Sequence, residues 1–240
     1  MAELPKSLEE AIAQARGATQ AALADGYFRL QVELLYPELN PMPVAIQFIP
    51  VLEQLGSQLK VFFPDAGAAA LARRDWGDVP FKILDIGTGK VPVQQQIQPE
   101  DGVFLFIAPT AVEVALLEKL CEEAGDRPVV MLNPRLENAA TIGIGYAGRQ
   151  LRDRFLSTIE SCYHLRPLEE AIVFRCYPSP WQVWLEKGDE YQLITELLKN
   201  PLGEELDQIL TRKTQPASSP APKKPGVLAS LQRFLRTLSR

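Results

Sequence analysis

Val103-Phe104-Leu105-Phe106-Ile107, residues 110–124 and Val129-Val130-Met131-Leu132 succeed one another as an apolar run, an amphipathic run and a second apolar run. Each outer run is short and apolar throughout, the mark of a strand buried on both faces. Between them Val114, Leu117 and Cys121 recur at helical spacing, so 110–124 reads as a helix with those residues on its inner face. Strand, helix and strand in so short a length make a βαβ unit, which sets the two strands parallel in one sheet.

The same rhythm extends toward the N-terminus. Residues 7–24 open with Ser7 and Glu10 in capping-box spacing, place Leu8, Ile12, Ala15, Thr19 and Leu23 near one helical face, and close at Gly26. In 29–36, Leu30, Val32 and Leu34 alternate with Gln31 and Glu33, which predicts a strand with one solvated face, stopped by Pro37. Residues 44–55 read as a helix that Pro50 kinks or splits. A strand over 59–63, a small-residue helix over 66–72 capped by Asp65, and a strand over 81–86 follow.

Beyond Asn133 come a glycine-dotted loop, a helix near 149–155 and strand-like runs at 158–165, 171–176 and 181–185, whose short links suit antiparallel neighbours. Residues 191–199 and 202–210 read as closing helices. The expected fold class is therefore α/β, a Rossmann-like βαβ N-terminal half continuing into antiparallel strands within one mixed sheet. The expected organisation is a domain over 1–210, a linker over 211–226 and a terminal helix over 227–240.

Composition supports a self-sufficient body: 46% of 240 residues are hydrophobic, enough for one large core without staples. The three cysteines, Cys121, Cys162 and Cys176, form no CxxC pair, and MAELPKSLEE carries neither an apolar signal core nor an Arg-rich transit pattern, so a reducing, cytoplasmic-type compartment is expected. A run of about 18 apolar residues is lacking, so a spanning helix is not expected.

Charge is unevenly divided. Residues 211–240 hold seven Lys/Arg and no acid, against 18 Lys/Arg and 30 Asp/Glu in residues 1–210. The stretch TRKTQPASSPAPKKPG, 211–226, contains four prolines and reads as an extended linker. After it, Val227, Leu228, Leu231, Phe234, Leu235 and Leu238 fall within an arc of about 120° on a helical wheel, with Arg233, Arg236 and Arg240 opposite. Such a segment suits an anionic membrane surface, each arginine adding about 1 kcal/mol there. Nucleic acid is not an expected partner, because an acidic body repels phosphate.

The remaining motifs bear on catalysis. Ile83-Leu84-Asp85-Ile86-Gly87-Thr88-Gly89 resembles the first motif of S-adenosylmethionine-dependent methyltransferases, yet VPVQQQIQPED after it reads as a loop and not as a helix facing a cofactor. Gly143, Gly145 and Gly148 satisfy GxGxxG, but the segment before them is too polar for a first Rossmann strand. Cys162 and His164, the sole histidine, would share a strand face at ~6 to 7 Å, too far apart to act as nucleophile and base. Scattered cysteines with one histidine lack zinc spacing, so no metal and no cofactor is expected, and the protein leans away from being an enzyme. Asp85, Asn133 and Arg135 at strand ends, the three glycines, and Trp181 and Trp184 are the candidate ligand or partner residues, with Tyr163 and Tyr177 beside them.

The run from Arg154-Phe155-Leu156-Ser157 through Cys162-Tyr163-His164-Leu165 to Leu168, the run from Arg175-Cys176-Tyr177-Pro178 to Trp184, the opening Ser7-Leu8-Glu9-Glu10-Ala11 and the segment Leu30-Gln31-Val32-Glu33-Leu34 resemble domain of unknown function 1995, a family of cyanobacteria and chloroplasts. The resemblance covers most of 5–205. Plant relatives include the low photosystem II accumulation proteins. It implies a place and a process, the thylakoid and the assembly of photosystem II; joined to the cationic tail, which the resemblance does not cover, it gives the expectation of an auxiliary factor peripheral at the cytoplasmic face of the thylakoid membrane, binding a protein partner such as an assembly intermediate. The alternatives are a nucleotide- or cofactor-binding α/β enzyme, and a regulator whose tail enters a groove on another protein.

Overall fold

Ser7 accepts a hydrogen bond from the Glu10 amide at 3.1 Å and starts α1 (Leu8–Ala24), whose Ala11, Ile12, Ala15, Ala18 and Ala22 turn inward. Glu10 reaches back one residue further than a simple capping box and accepts from the Lys6 amide at 2.7 Å. This computed structural model describes residues 2–53, 58–87, 92–136, 146–188 and 190–214. The tail residues 227–240, including Val227, Leu228, Leu231, Arg233, Phe234, Leu235, Arg236, Leu238 and Arg240, lie outside the described residues, as do Gly143 and Gly145.

The strands are β1 (Arg29–Leu34), β2 (Leu59–Phe63), β3 (Lys82–Asp85), β4 (Val103–Ile107), β5 (Val129–Leu132), β6 (Glu160–Pro167), β7 (Ala171–Cys176), β8 (Trp181–Lys187) and β9 (Glu190–Leu197). They form a single nine-stranded sheet in the order β3-β2-β4-β5-β1-β6-β7-β8-β9, parallel as far as β6 and antiparallel from there on. The α/β class and the single mixed sheet are as the sequence predicts. Between the strands lie α2 (Pro41–Phe48), α3 (Pro50–Glu53), α4 (Ala66–Trp76), α5 (Val93–Gln96), α6 (Val114–Ala124) and α7 (Tyr146–Arg154), and α8 (Glu204–Thr214) follows β9. Pro50 splits its helix as expected, dividing α2 from α3.

Helices α1 to α4 cover one face of the sheet, packing on Val32, Val61, Leu105 and Val130; α6, with Ile97 and Phe155, covers the other against Phe62, Phe104, Phe106 and Met131. Side chains on β4 and β5 therefore alternate between two cores, which is why those runs are apolar throughout. Over the antiparallel strands α8 takes the second face, seating Leu206 against Val173, Trp181 and Val183. Helix α8 carries Glu204, Glu205 and Asp207 in its first turn, a placement the helix dipole favours, and it runs on through Thr211 to Thr214.

Three readings are corrected. Residues 191–199 form no helix: Gly188, at φ +67°, turns the chain back, and β9 pairs with β8 from Trp181↔Leu197 to Lys187↔Glu190. Tyr191, Ile194 and Thr195 suit a strand, and Tyr191 and Ile194 pack against different cores across the sheet. Strand β1 is not a surface strand with a wet face but the fifth of nine, and its polar Gln31 and Glu33 face other side chains. Residues 93–96, read as loop, make the single turn α5.

Candidate functional site

In a parallel sheet, ligands are received where neighbouring strands send their outgoing loops to opposite faces. Here β1 leads to α2 on the first face while β5 leads to α7 on the second, so the crevice lies between the carboxyl ends of β1 and β5. Asn133 follows β5 directly. Its amide donates to Val32 O at 2.7 Å and its Oδ1 accepts from the Leu34 amide at 2.6 Å, in a left-handed conformation with φ +49°. The side chain thus closes the crevice by taking the place of one more ladder bond. Arg135, exposed, donates its amide to Pro109 O at 2.7 Å and bridges Thr110, tying together the loops after β4 and β5.

Asp85 ends β3 at the sheet edge, its Oδ1 lying 3.1 Å from where a Cβ on Gly87 would be. Three strand spacings, about 14 Å, separate it from Asn133, so the two are not brought into one site. Gly148 is buried as the third residue of α7. Trp181 and Trp184 point to opposite faces: Trp181 packs with Val173 and Val183 under α8, and Trp184 joins the first core and donates Nε1–H to Gln182 Oε1 at 3.1 Å. Tyr163 is fully buried and donates to Gln14 Oε1 at 3.2 Å, and Tyr177 donates to Asp25 at 2.7 Å.

A dense polar constellation among the described residues lies elsewhere, on the second face where β1 meets β6. Strand pairing sets Glu33 opposite His164, and Glu33 Oε2 accepts from three groups: His164 Nδ1 at 2.8 Å, Gln31 Nε2 at 3.2 Å and Ser161 Oγ at 3.4 Å. The imidazole is 4% exposed and meets the Trp181 ring edge-on at 4.9 Å. Arg175, the register partner of His164 on β7, lies over the same ring at 5.4 Å and pairs with Glu160. The Glu33 carboxylate accepts from Nδ1–H, and Nε2 has no hydrogen-bond partner among the described residues. A carboxylate orienting an imidazole is the arrangement of a general base. Ser161 sits on the carboxylate side of that pair, not on Nε2, so the three do not form a nucleophilic triad.

The sequence spacing missed this pair because Cys162, not Glu33, is the near neighbour of His164. The register slips by one residue between Gln31/Val32 and Ser161/Tyr163, leaving Cys162 as the extra residue of a bulge. Cys162 turns to the first face, where it contacts Thr19 Oγ1 at 3.7 Å and Gln31 O at 3.4 Å, so it and His164 do not share a face. Burial pushes its thiol up to about 12, and that of Cys121 likewise to about 12. Neither is a nucleophile at neutral pH.

A family model described as domain of unknown function (DUF1995) matches residues 5–208. The chain belongs to this family. The DUF1995 match takes in every strand of the sheet, the Glu33–His164 pair, Asn133 and the first turn of α8, and it leaves 209–240 outside. Among the described residues of the DUF1995 domain there is no group of three or more His, Cys, Asp or Glu placed to hold a metal ion, and no helix long and apolar enough to cross a membrane. The clefts among the described residues include one of about 410 Å³ between the β6–β7 turn and α8, and one of about 510 Å³ between α5 and α6 lined by Val93, Leu116 and Lys119.

Proposed function

We propose that the protein is a non-enzymatic auxiliary factor at the cytoplasmic face of the thylakoid membrane, where its DUF1995 body binds a protein partner in the assembly or accumulation of photosystem II. The observation that carries this reading is the division of the chain: an acidic family domain, and beyond the matched residues a proline-rich stretch and a cationic segment whose apolar and basic residues segregate by helical spacing. Confining a recognition domain to the surface that holds its partner raises apparent affinity without new contacts, so the two parts support one role. The resemblance to the low photosystem II accumulation proteins supplies the process. Deleting the gene should lower the level of assembled photosystem II, with restoration by the full chain and not by one ending at Gly226; unchanged photosystem II would remove the proposal.

The Glu33–His164 pair favours a second reading, a ligand-binding α/β enzyme. Because His164 is the sole histidine, its ring signals report on that site alone. Titration with NAD, ATP or S-adenosylmethionine at millimolar concentration separates the readings: displaced ring signals favour an enzyme, and unmoved ones favour the auxiliary factor.

A further inference from the structure

The cleft between the β6–β7 turn and α8 has an apolar floor and an acidic rim. Leu168, Leu185, Leu206 and Leu210 line it, with Leu185 and Leu206 buried, and among its described lining residues the carboxylates of Glu169, Glu170 and Asp207 outnumber one cation, Arg166. Its 410 Å³ matches a small-ligand pocket and admits a few side chains, not a whole helix. An apolar floor within an acidic rim is complementary to a segment that is apolar on one side and cationic on the other.

Such a segment is tethered to it. We infer that residues 227–240 seat Leu231, Phe234 and Leu235 in this cleft when no membrane is present, with Arg233 and Arg236 toward Glu169, Glu170 and Asp207. The inference rests on reading 227–240 as amphipathic, and it makes the cleft and the bilayer alternative hosts for the same apolar stripe. The reach is sufficient: α8 places Thr214 about 12 Å along its axis from Leu206, and 215–226, twelve residues, spans up to about 37 Å when extended. The tether holds the segment near the cleft at an effective concentration in the millimolar range, so a contact too weak to form between separate molecules is occupied here. The acids also give the arrangement a direction. An anionic bilayer offers the arginines a far larger field than three carboxylates, so the segment leaves the cleft at a membrane and the cleft becomes free there for another ligand.

The test uses the full chain carrying Cys176→Ser and Ser230→Cys, with a nitroxide on the new thiol; Cys121 and Cys162 are buried and stay unlabelled. Without lipid, the label should broaden the amide signals of Leu168, Ala171, Leu206 and Leu210 selectively, and Glu169→Lys/Glu170→Lys should abolish that broadening. The same charge reversal should raise partition onto vesicles of equal parts phosphatidylglycerol and phosphatidylcholine about three- to tenfold, by removing the competing host. Absent or evenly spread broadening overturns the inference even if the full chain binds vesicles, in which case the membrane reading stands alone. Selective broadening with no vesicle binding keeps the cleft contact and removes the membrane reading.

Discussion

Glu33 on β1 and His164 on β6, 131 residues apart in the chain, are joined by a 2.8 Å contact between Oε2 and Nδ1 at the centre of a polar cluster on the sheet's second face. Removing the acceptor leaves a buried imidazole N–H unpaired, which costs about 1–3 kcal/mol. Glu33→Leu should therefore lower the unfolding free energy by that amount, read as a lower urea midpoint at unchanged m-value, and Glu33→Gln by less, since its amide oxygen still accepts. Nitrogen-15 spectra of the one histidine should show the proton on Nδ1 in the native protein and a mixture of tautomers in Glu33→Leu; a native ring protonated on Nε2 alone would contradict the assignment.

Lys60 and Asp101 form a second buried pair at 2.5 Å, with side chains 3% and 4% exposed. Lys60 also donates to Gln96 O at 2.7 Å, and Asp101 accepts from the Gln98 amide at 2.7 Å, so the pair fastens the loop before β4 to β2. Losing one member strands the other charge away from water, at about 3–5 kcal/mol. Lys60→Met alone should be strongly destabilising and Lys60→Met/Asp101→Leu much less so. Equal losses in the single and double variants would show that packing, not the stranded charge, sets the cost.

Asn133 combines a left-handed backbone with the hydrogen bond that bridges β5 to β1. Asn133→Asp keeps the acceptor and should be nearly neutral at pH 7. Asn133→Ala loses the acceptor and meets the left-handed penalty together, so a loss of about 2–4 kcal/mol is expected in thermal or denaturant unfolding. Asn133→Gly relieves the backbone and should fall between them; a glycine variant less stable than the alanine one would refute this partition.

The thiols set an alkaline limit. Burial raises Cys121 and Cys162 to about 12 and Cys176 to about 11, from an ordinary 9.0. The unfolded chain therefore gives up these protons first. Their contribution is complete below about pH 9 and declines as pH rises toward 12, so unfolding free energy should drop across that window. Native protein at pH 8 should also leave Cys121 and Cys162 unmodified by iodoacetamide, with all three thiols reacting in urea. Rapid native alkylation of Cys162 would show that its bulge opens.

How much of this was legible in the chain depends on where each residue's neighbours come from. The Ser7 cap, the Pro50 break and the continuous apolar runs of β4 and β5 are set by residues within a turn or two, and they appear where the sequence places them. Strand β9 is set by β8 across a turn, and its helical reading failed because pairing overrode a weak local preference. Glu33 looked solvated because alternation alone cannot show that His164, on the neighbouring strand β6, lies beside it on the same face. His164 was weighed against the wrong neighbour, since a one-residue bulge reverses which side chains share a face. Asn133 stood out at a strand end, but its role as a closure of the crevice needs the Leu34 amide, 99 residues away, to be seen.

Sedimentation of the full chain with phosphatidylglycerol-containing vesicles, set against Leu231→Asp/Leu235→Asp, tests most directly whether the family domain is a module delivered to a membrane by its terminal segment. The full chain should pellet with the vesicles, release as salt is raised, and lose at least tenfold in partition when the two leucines are replaced. Equal partition of the two proteins, or no partition of either, would contradict the account.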